Sequence, residues 1–227
     1  MPTPHPSAVL TDLSSERFSC RGFRPDPVAR SVQEQLLGMA QMTASWCNSQ
    51  PWRVHVIEGQ AIERFREVMV PPLQEDEAGP DFSWPAEYRG IYRERRLACA
   101  LALYDAVGAA RGDREASARQ AQENFRFFGA PHVAMVTTDA ALGIYGAVDC
   151  GGFVANFLLA ATSLGVATIP QAALASRAQR VRDFLGLPQD RLVVCGISFG
   201  YADPSHPANG FRTSRATIAE VADWMTT

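Results

Sequence analysis

Arg17-Phe18-Ser19-Cys20-Arg21-Gly22-Phe23, followed downstream by Asn48-Ser49-Gln50-Pro51-Trp52, is the part of the chain whose reading decides the fold. The first segment sets Arg17, Ser19 and Arg21 two residues apart, so in an extended backbone they share one side. Two guanidinium forks flanking a hydroxyl suit a phosphate and a polar, partly anionic ring edge. The second segment is a polar turn that runs into an apolar stretch, with Pro51 where a strand start tolerates a missing N–H.

Outward from these segments, Val28, Val32, Leu36, Met39, Ala40 and Thr43 follow steps of three and four, predicting a helix with an N-cap at Asp26 and Pro27 in its first turn. Trp52 to Ile57 reads as a strand. Pro71 to Pro85 is a proline- and acid-rich loop, with a helix expected from about Ala86 to Ala110. A further helix is expected over Glu115 to Phe128, with Ala118, Ala121, Phe125 and Phe128 on one stripe. His132 to Thr137 reads as a strand. Gly146 to Leu164 is apolar almost all round and reads as a buried helix. Its small residues Gly151, Gly152 and Ala155 would admit a close neighbour, a second subunit being one candidate. Ser176-x-x-Gln179 predicts a capping box and Gly186 a stop, giving a helix over Arg177 to Leu185. Leu192 to Phe199 reads as a central strand. Met1 to Leu10 is proline-rich and reads as a loose tail, leaving residues 11–227 as one domain. The order of elements predicts an α+β layer arrangement.

The chain of 227 residues is 47% hydrophobic with a net charge of −3, which suits a single globular domain with a large core and gives no nucleic-acid surface. Ile144 to Ala161 is interrupted by Asp149, Gly151, Gly152 and Asn156, so no membrane span is expected, and a cytoplasmic location follows by default. Five cysteines without a Cys-x-x-Cys spacing and four scattered histidines give no disulfide framework or metal site. No Gly-x-Gly-x-x-Gly, Walker loop or Gly-x-Ser-x-Gly elbow is present, which disfavours a Rossmann site, a phosphate-loop NTPase and a serine hydrolase. Taken singly, Arg17 and Arg21 read as surface arginines, Asn48 as a turn residue, Trp52 and Phe125 as core, and Cys47 as a packing residue.

Together the motifs resemble the FMN-dependent nitroreductase family. The resemblance runs from about Glu16 to Trp224 on Arg17-x-Ser19-x-Arg21-x-Phe23, Asn48-x-Gln50-Pro51-Trp52, Phe128-x-Ala130-Pro131, Leu164-Gly165-Val166, Leu185-Gly186-Leu187-Pro188, Gly200-Tyr201 and Arg215. The stretches Asn124 to Pro131, Gln171 to Ala173 and Asn209 to Arg215 look most like the branch acting on nitroaromatic acids. The resemblance implies a mostly antiparallel sheet flanked by helices and an intertwined homodimer with FMN at the subunit interface. It implies that Arg17, Phe18 and Ser19 hold the phosphate and ribityl end, that Arg215 closes on the phosphate, and that Arg21 faces the N1/C2 side of the flavin. The backbone of Pro170, Gln171, Ala172 and Ala173 would lie along the ring, the Ala172 amide aimed at N5. Ala44, Ser45, Trp46 and Asn48 would reach the flavin of the other subunit. Glu87, Tyr88, Tyr92, Arg93 and Phe125 fall where relatives place a lid.

The activity implied is a ping-pong cycle in which NAD(P)H gives hydride to flavin N5 and a small aromatic acceptor, a nitroaromatic or quinone, takes it, with Arg21 and Ala172 as the catalytic groups. Reductive dehalogenation, heterocycle dehydrogenation, flavin breakdown, flavin binding without turnover and a structural dimerisation module are the alternatives. The sequence departs from the family pattern at Ala44-Ser45-Trp46, at Thr213 where some members are basic, and at Ala172-Ala173, which lacks a carboxylate.

Overall fold

A computed structural model describes residues 5–75 and 77–226. Among these residues a four-stranded sheet of order β1-β2-β4-β3 (Arg53–Glu58, His132–Asp139, Arg191–Gly200 and Ala167–Gln171 for β1, β2, β4 and β3) lies between helices. All three pairings are antiparallel, as the α+β reading expects. The helices are α1 (Pro6–Glu16), α2 (Arg30–Ala40), α3 (Gln60–Met69), α4 (Gly90–Ala106), α5 (Arg114–Gln122), α6 (Gly143–Ser163) and α7 (Ala178–Leu185).

Strand pleating explains the three layers. Ala134 and Val136 of β2 face α2 and α6, while Val133 and Met135 face α3 and α7. Both faces of the central strands are therefore covered, which is why β2 and β4 read as continuous apolar runs. On the first face Trp52 stacks on Phe153 at 5.2 Å, and Phe157 meets Phe199 edge-on at 5.8 Å. On the second, Phe65 stacks on Phe127 at 5.2 Å. Truncating a ring such as Phe153 to Ala would cost about 3–5 kcal/mol.

Several expectations are corrected. The stretch expected as a tail enters α1 at Pro6, whose fixed φ suits a first helical position and whose neighbour His5 accepts from the Ser7 N–H; residues 1–4 lie outside the described residues. Helix α2 starts at Arg30 with Ala29 as N-cap, not at Asp26. The 115–128 helix stops at Gln122 and gives way to a 3-10 segment (Glu123–Gly129) with φ of 60° at Phe127 and 53° at Phe128. The capping box at Ser176 does not form: Ser176 Oγ donates to the Ala173 carbonyl at 2.6 Å within a 3-10 turn, Ala172–Arg177, and α7 begins at Ala178. Gly186 does end α7 in the left-handed region, at φ 63°. Strand β3 escaped the sequence reading because it is short and holds Pro170, tolerable at an edge. Helix α3 escaped it too, although Ile62, Phe65 and Met69 form a helical stripe.

Helix α6 is long and apolar enough in composition to cross a bilayer, with a mean hydropathy of 1.5. It packs one side, including Phe153 and Phe157, on α2, β2 and β3. Its other side is not buried as expected: Ile144, Tyr145 and Val148 are 66%, 58% and 60% exposed, and Gly151 and Ala155 lie open beside them. Helix α4 also buries none of its side chains. Asp149 on α6 accepts from the Trp46 backbone N–H at 3.1 Å.

Candidate functional site

After α1 ends at Glu16, the chain runs extended beside the free edge of β3. Ser19 bridges Thr168 in parallel, and the Cys20 N–H donates to the Thr168 carbonyl at 2.9 Å. Cys20 is fully buried, so alternation turns Arg17, Ser19 and Arg21 the other way. These three line a cleft of about 280 Å³ with Arg212, Thr213 and Arg215 of the C-terminal segment; Phe18, Phe211, Cys99 and the end of α1 at Ser14 and Ser15 complete its walls. Four guanidinium groups thus border one cleft whose lining holds no carboxylate among the described residues.

Three of the four arginines are held by neighbouring groups. Arg21 Nη1 donates to the Ser19 carbonyl at 3.1 Å, and its guanidinium lies 5.6 Å from the Phe211 ring. Arg212 sits 4.0 Å over the Phe18 ring and donates to the Asn209 carbonyl at 2.9 Å. Arg215 bonds Thr213 Oγ1 at 2.8 Å. Burial, then the like charge of Arg215, lowers the Arg17 pKa, and burial lowers that of Arg21. Both guanidinium groups stay charged, and closely spaced permanent cations attract an anion.

Asn209 joins the two ends of the chain. Its Oδ1 accepts from the Arg21 N–H at 2.7 Å, and its Nδ2 donates to the carbonyls of Gly22 at 2.8 Å and Asp203 at 2.9 Å. Gly22 is required by close approach, since a Cβ there would come 2.2 Å from His206 Cγ. Neither Asn209 nor Arg212 was singled out by sequence. Their proximity to the arginine motif is a tertiary fact, and Asn209 to Arg215 carried only a family likeness.

A second cleft of about 290 Å³ shares Arg21 with the first. Its floor is the end of β3 and the turn after it, Ile169 to Ala173, and Leu103, Tyr104, Asn124 and Phe128 stand around it. Gln171 meets the cleft beside its neighbours, but its side chain is almost wholly buried: Nε2 donates to the Asn124 carbonyl at 2.9 Å, and Oε1 accepts from Ser198. Ala172 opens the 3-10 turn, where the first N–H groups have no partner within the turn. Phe128 reaches the wall from a backbone conformation rarely taken by a bulky residue, strain of the kind found at ligand clamps.

The remaining expected residues do not all gather here. Ala44, Ser45, Trp46 and Asn48 line neither cleft. They form the loop after α2, beside the exposed side of α6, where the Trp46 ring meets Tyr145 edge-on at 4.7 Å. Cys47, Asn48 and Gln50 take φ values of 52°, 54° and 47° in this loop, and Cys47 is exposed, not packed as expected. Of the anticipated lid, Glu87, Tyr88, Tyr92 and Arg93 are exposed and line neither cleft; α4 reaches them through Cys99, Leu103 and Tyr104. Phe125 is also absent from both linings and lies under Arg177. Burial raises the thiols of Cys20 and Cys150 to about 11 and that of Cys195 to about 12, so none is a ready nucleophile. No three metal-ligating side chains gather among the described residues.

Residues 15–201 match the model of the nitroreductase family. The chain is 36% identical over 224 residues to nitroreductase NfnB of Mycolicibacterium smegmatis, covering 96% of this chain and 94% of that protein. It is 32% identical to a 4-nitrobenzoate reductase of Pseudomonas putida, covering 92% and 93%. Among solved structures, the FMN-dependent nitroreductase NfnB from Mycobacterium smegmatis in complex with NADPH superposes with a TM-score of 0.91 at 34% identity, over 96% of this chain and 99% of that one.

Proposed function

The chain belongs to the nitroreductase family, and on that premise we propose that it is an FMN-dependent oxidoreductase that uses NAD(P)H to reduce nitroaromatic or quinone-type acceptors. The observation that carries this reading is the pair of clefts joined at Arg21: one bordered by four guanidinium groups, the other floored by backbone and apolar side chains. A phosphate dianion fits the first cleft, where permanent cations meet no carboxylate among the described residues, and a flat, partly apolar ring fits the second. The relatives point the same way, as they include FMN- and NADPH-dependent nitroreductases and a 4-nitrobenzoate reductase.

Arg17, Phe18, Ser19, Arg212 and Arg215 would hold the phosphate and ribityl end. Arg21 would face the edge of the ring that becomes negative on reduction, a contact worth about 2–4 kcal/mol in a site drier than water. The backbone from Pro170 to Ala173 would support the ring, with the Ala172 N–H as the second catalytic group. When bound, FMN would supply the two-electron chemistry that no side chain here can perform. The protein's part is to fix the ring, to present donors where charge develops and to narrow access with Tyr104 and Phe128.

The working form we propose is a cytoplasmic homodimer. The open side of α6, with Ile144, Tyr145 and Val148, would meet its counterpart, and Ala44, Ser45, Trp46 and Asn48 of the partner subunit would complete each flavin site. Support comes from the uncovered apolar side of α6 and from the adjacent loop that serves neither cleft of its own protomer. The described chain would act as one FMN-binding domain. Nicotinamide and acceptor would use the same open face in turn, which is the ping-pong order.

Reconstitution with FMN followed by anaerobic mixing tests this. NADPH or NADH should bleach the flavin absorbance, and 4-nitrobenzoate or a quinone should restore it. A protein that takes up no FMN, or stays yellow with both nicotinamides, would overturn the reading.

A further inference from the structure

Arg177 is a buried cation that the site described above does not use. It is 3% exposed, and its Nε and Nη1 have no hydrogen-bond partner among the described residues. Its guanidinium carbon lies 3.4 Å from the centroid of the Phe125 ring. Glu77, the carboxylate that acts on it, is already held by Arg180 through Nε at 2.6 Å and a second contact from Nη2. Burial, then the like charge of Arg180, lowers the Arg177 pKa to about 10, which leaves it charged at neutral pH. A buried charge left short of partners is costly, and such groups concentrate where function holds them.

Its position gives that charge something to act on. Arg177 ends the 3-10 turn whose first residues, Ala172 and Ala173, floor the second cleft. At the rise of a 3-10 helix the backbones of Ala172 and Arg177 stand about 10 Å apart along the axis. Phe125, on which it lies, follows Asn124, which stands in the cleft wall and holds Gln171. Arg177 and Gln171 are both almost wholly buried, so screening by water is weak on that side of the cleft.

We propose that Arg177 is a positioning residue that acts by its charge: fixed behind the Ala172–Ala173 floor, it favours negative charge arriving in the second cleft and so raises the reduction potential of the bound flavin. The inference rests on the FMN reading above. A unit charge at a distance on the order of that backbone separation, through an effective dielectric near 20, corresponds to about tenfold in the ratio of reduced to oxidised flavin binding. For a two-electron couple, tenfold is about 30 mV.

FMN titration of the apoprotein comes first: failure to bind would remove the FMN reading and this proposal with it, whereas binding leaves the potentials below to test this proposal alone. With FMN bound, Arg177→Met and Arg177→Gln should lower the midpoint potential by about 30 mV, while Arg177→Lys should stay near wild type. Glu77→Gln keeps Arg177 but removes the carboxylate that offsets it, and should raise the potential at low ionic strength. This variant decides the matter if the neutral ones do not fold. A structural role would change melting temperature and leave the potential alone. Potentials unchanged in the neutral variants, an Arg177→Lys protein shifted as far as Arg177→Met, or a Glu77→Gln protein with an unmoved or lowered potential would each overturn the proposal.

Discussion

The side-chain oxygen of Asn209 accepts the backbone N–H of Arg21 at 2.7 Å, across 188 residues of sequence. The same side chain donates to the Gly22 and Asp203 carbonyls. One amide thus holds the N-terminal arginine strip against the C-terminal segment that supplies Arg212 and Arg215.

Asn209→Ala strands the Arg21 N–H and takes one donor from each of the Gly22 and Asp203 carbonyls, which still accept from the backbone N–H groups of Asp203 and His206. A stranded buried donor costs about 1–3 kcal/mol and a lost hydrogen bond about 1 kcal/mol. The variant should lose about 2–4 kcal/mol in urea unfolding and bind FMN more weakly. Wild-type stability together with wild-type affinity would show that the clip is not needed.

Arg17→Ala and Arg215→Ala each remove one of the cations bordering the first cleft. Charge-assisted contacts to phosphate contribute about 1.5–3 kcal/mol each, so FMN affinity should fall about tenfold to a hundredfold. Arg17→Ala should purify mostly as apoprotein, checked by flavin absorbance per protein. Full occupancy after dilution would contradict the phosphate role.

Arg21 belongs to both clefts, and its loss should affect reduction more than retention. Arg21→Ala should slow flavin reduction by NADPH about a hundredfold or more in anaerobic stopped flow, with a smaller change in FMN affinity. An unchanged rate and an unchanged flavin potential would remove the role.

The open side of α6 should be an interface. Gly151→Arg, placed among Ile144, Tyr145 and Val148, should give a folded monomer by light scattering that holds little FMN, because the loop from Ala44 to Asn48 would then complete no neighbouring site. A monomeric wild-type protein with full flavin content would refute this.

His132 links stability to pH. It is buried against Phe199, with Glu58 Oε2 3.2 Å from Nδ1, and its Nε2 accepts the Val28 N–H at 2.9 Å, which only a neutral ring can do. Burial lowers its pKa, opposed by Glu58 and aided by Arg30. The stabilisation is therefore complete above the unfolded value of about 6.5 and is lost as pH falls through the lower folded value. His55, lowered mainly by burial, acts in the same direction. Melting temperature should fall from pH 7 to pH 5 in the wild type, and less steeply in His132→Gln. Parallel curves would assign the loss elsewhere.

Periodicity and chemistry made much of this protein legible. The β2 and β4 strands, the long apolar α6, the left-handed stop at Gly186 and the arginine strip followed from side-chain spacing, because each is a local pattern repeated along one element. Local patterns also misled where two helical states compete. The aromatic stripe of Phe125 and Phe128 suggested one helix, whereas Phe127 and Phe128 reverse their backbone to fill the core and the cleft wall. Ser176 and Gln179 had the spacing of a cap, but Ser176 found a nearer carbonyl.

By itself the sequence determined which residue types were available and which elements they favour: a two-sided sheet, an amphipathic helix on each face and cations spaced for one side of an extended chain. Only the tertiary structure decided that Asn209 meets Arg21, that Arg212 joins the arginine-lined cleft, that Phe128 and not Phe125 reaches the second cleft, and that Arg177 lies buried on Phe125 with Nε and Nη1 unbonded among the described residues. Secondary structure depends on interactions within a few residues, which a linear pattern records. Cleft walls depend on contacts between residues far apart in the chain, whose alignment is fixed only when the whole core packs.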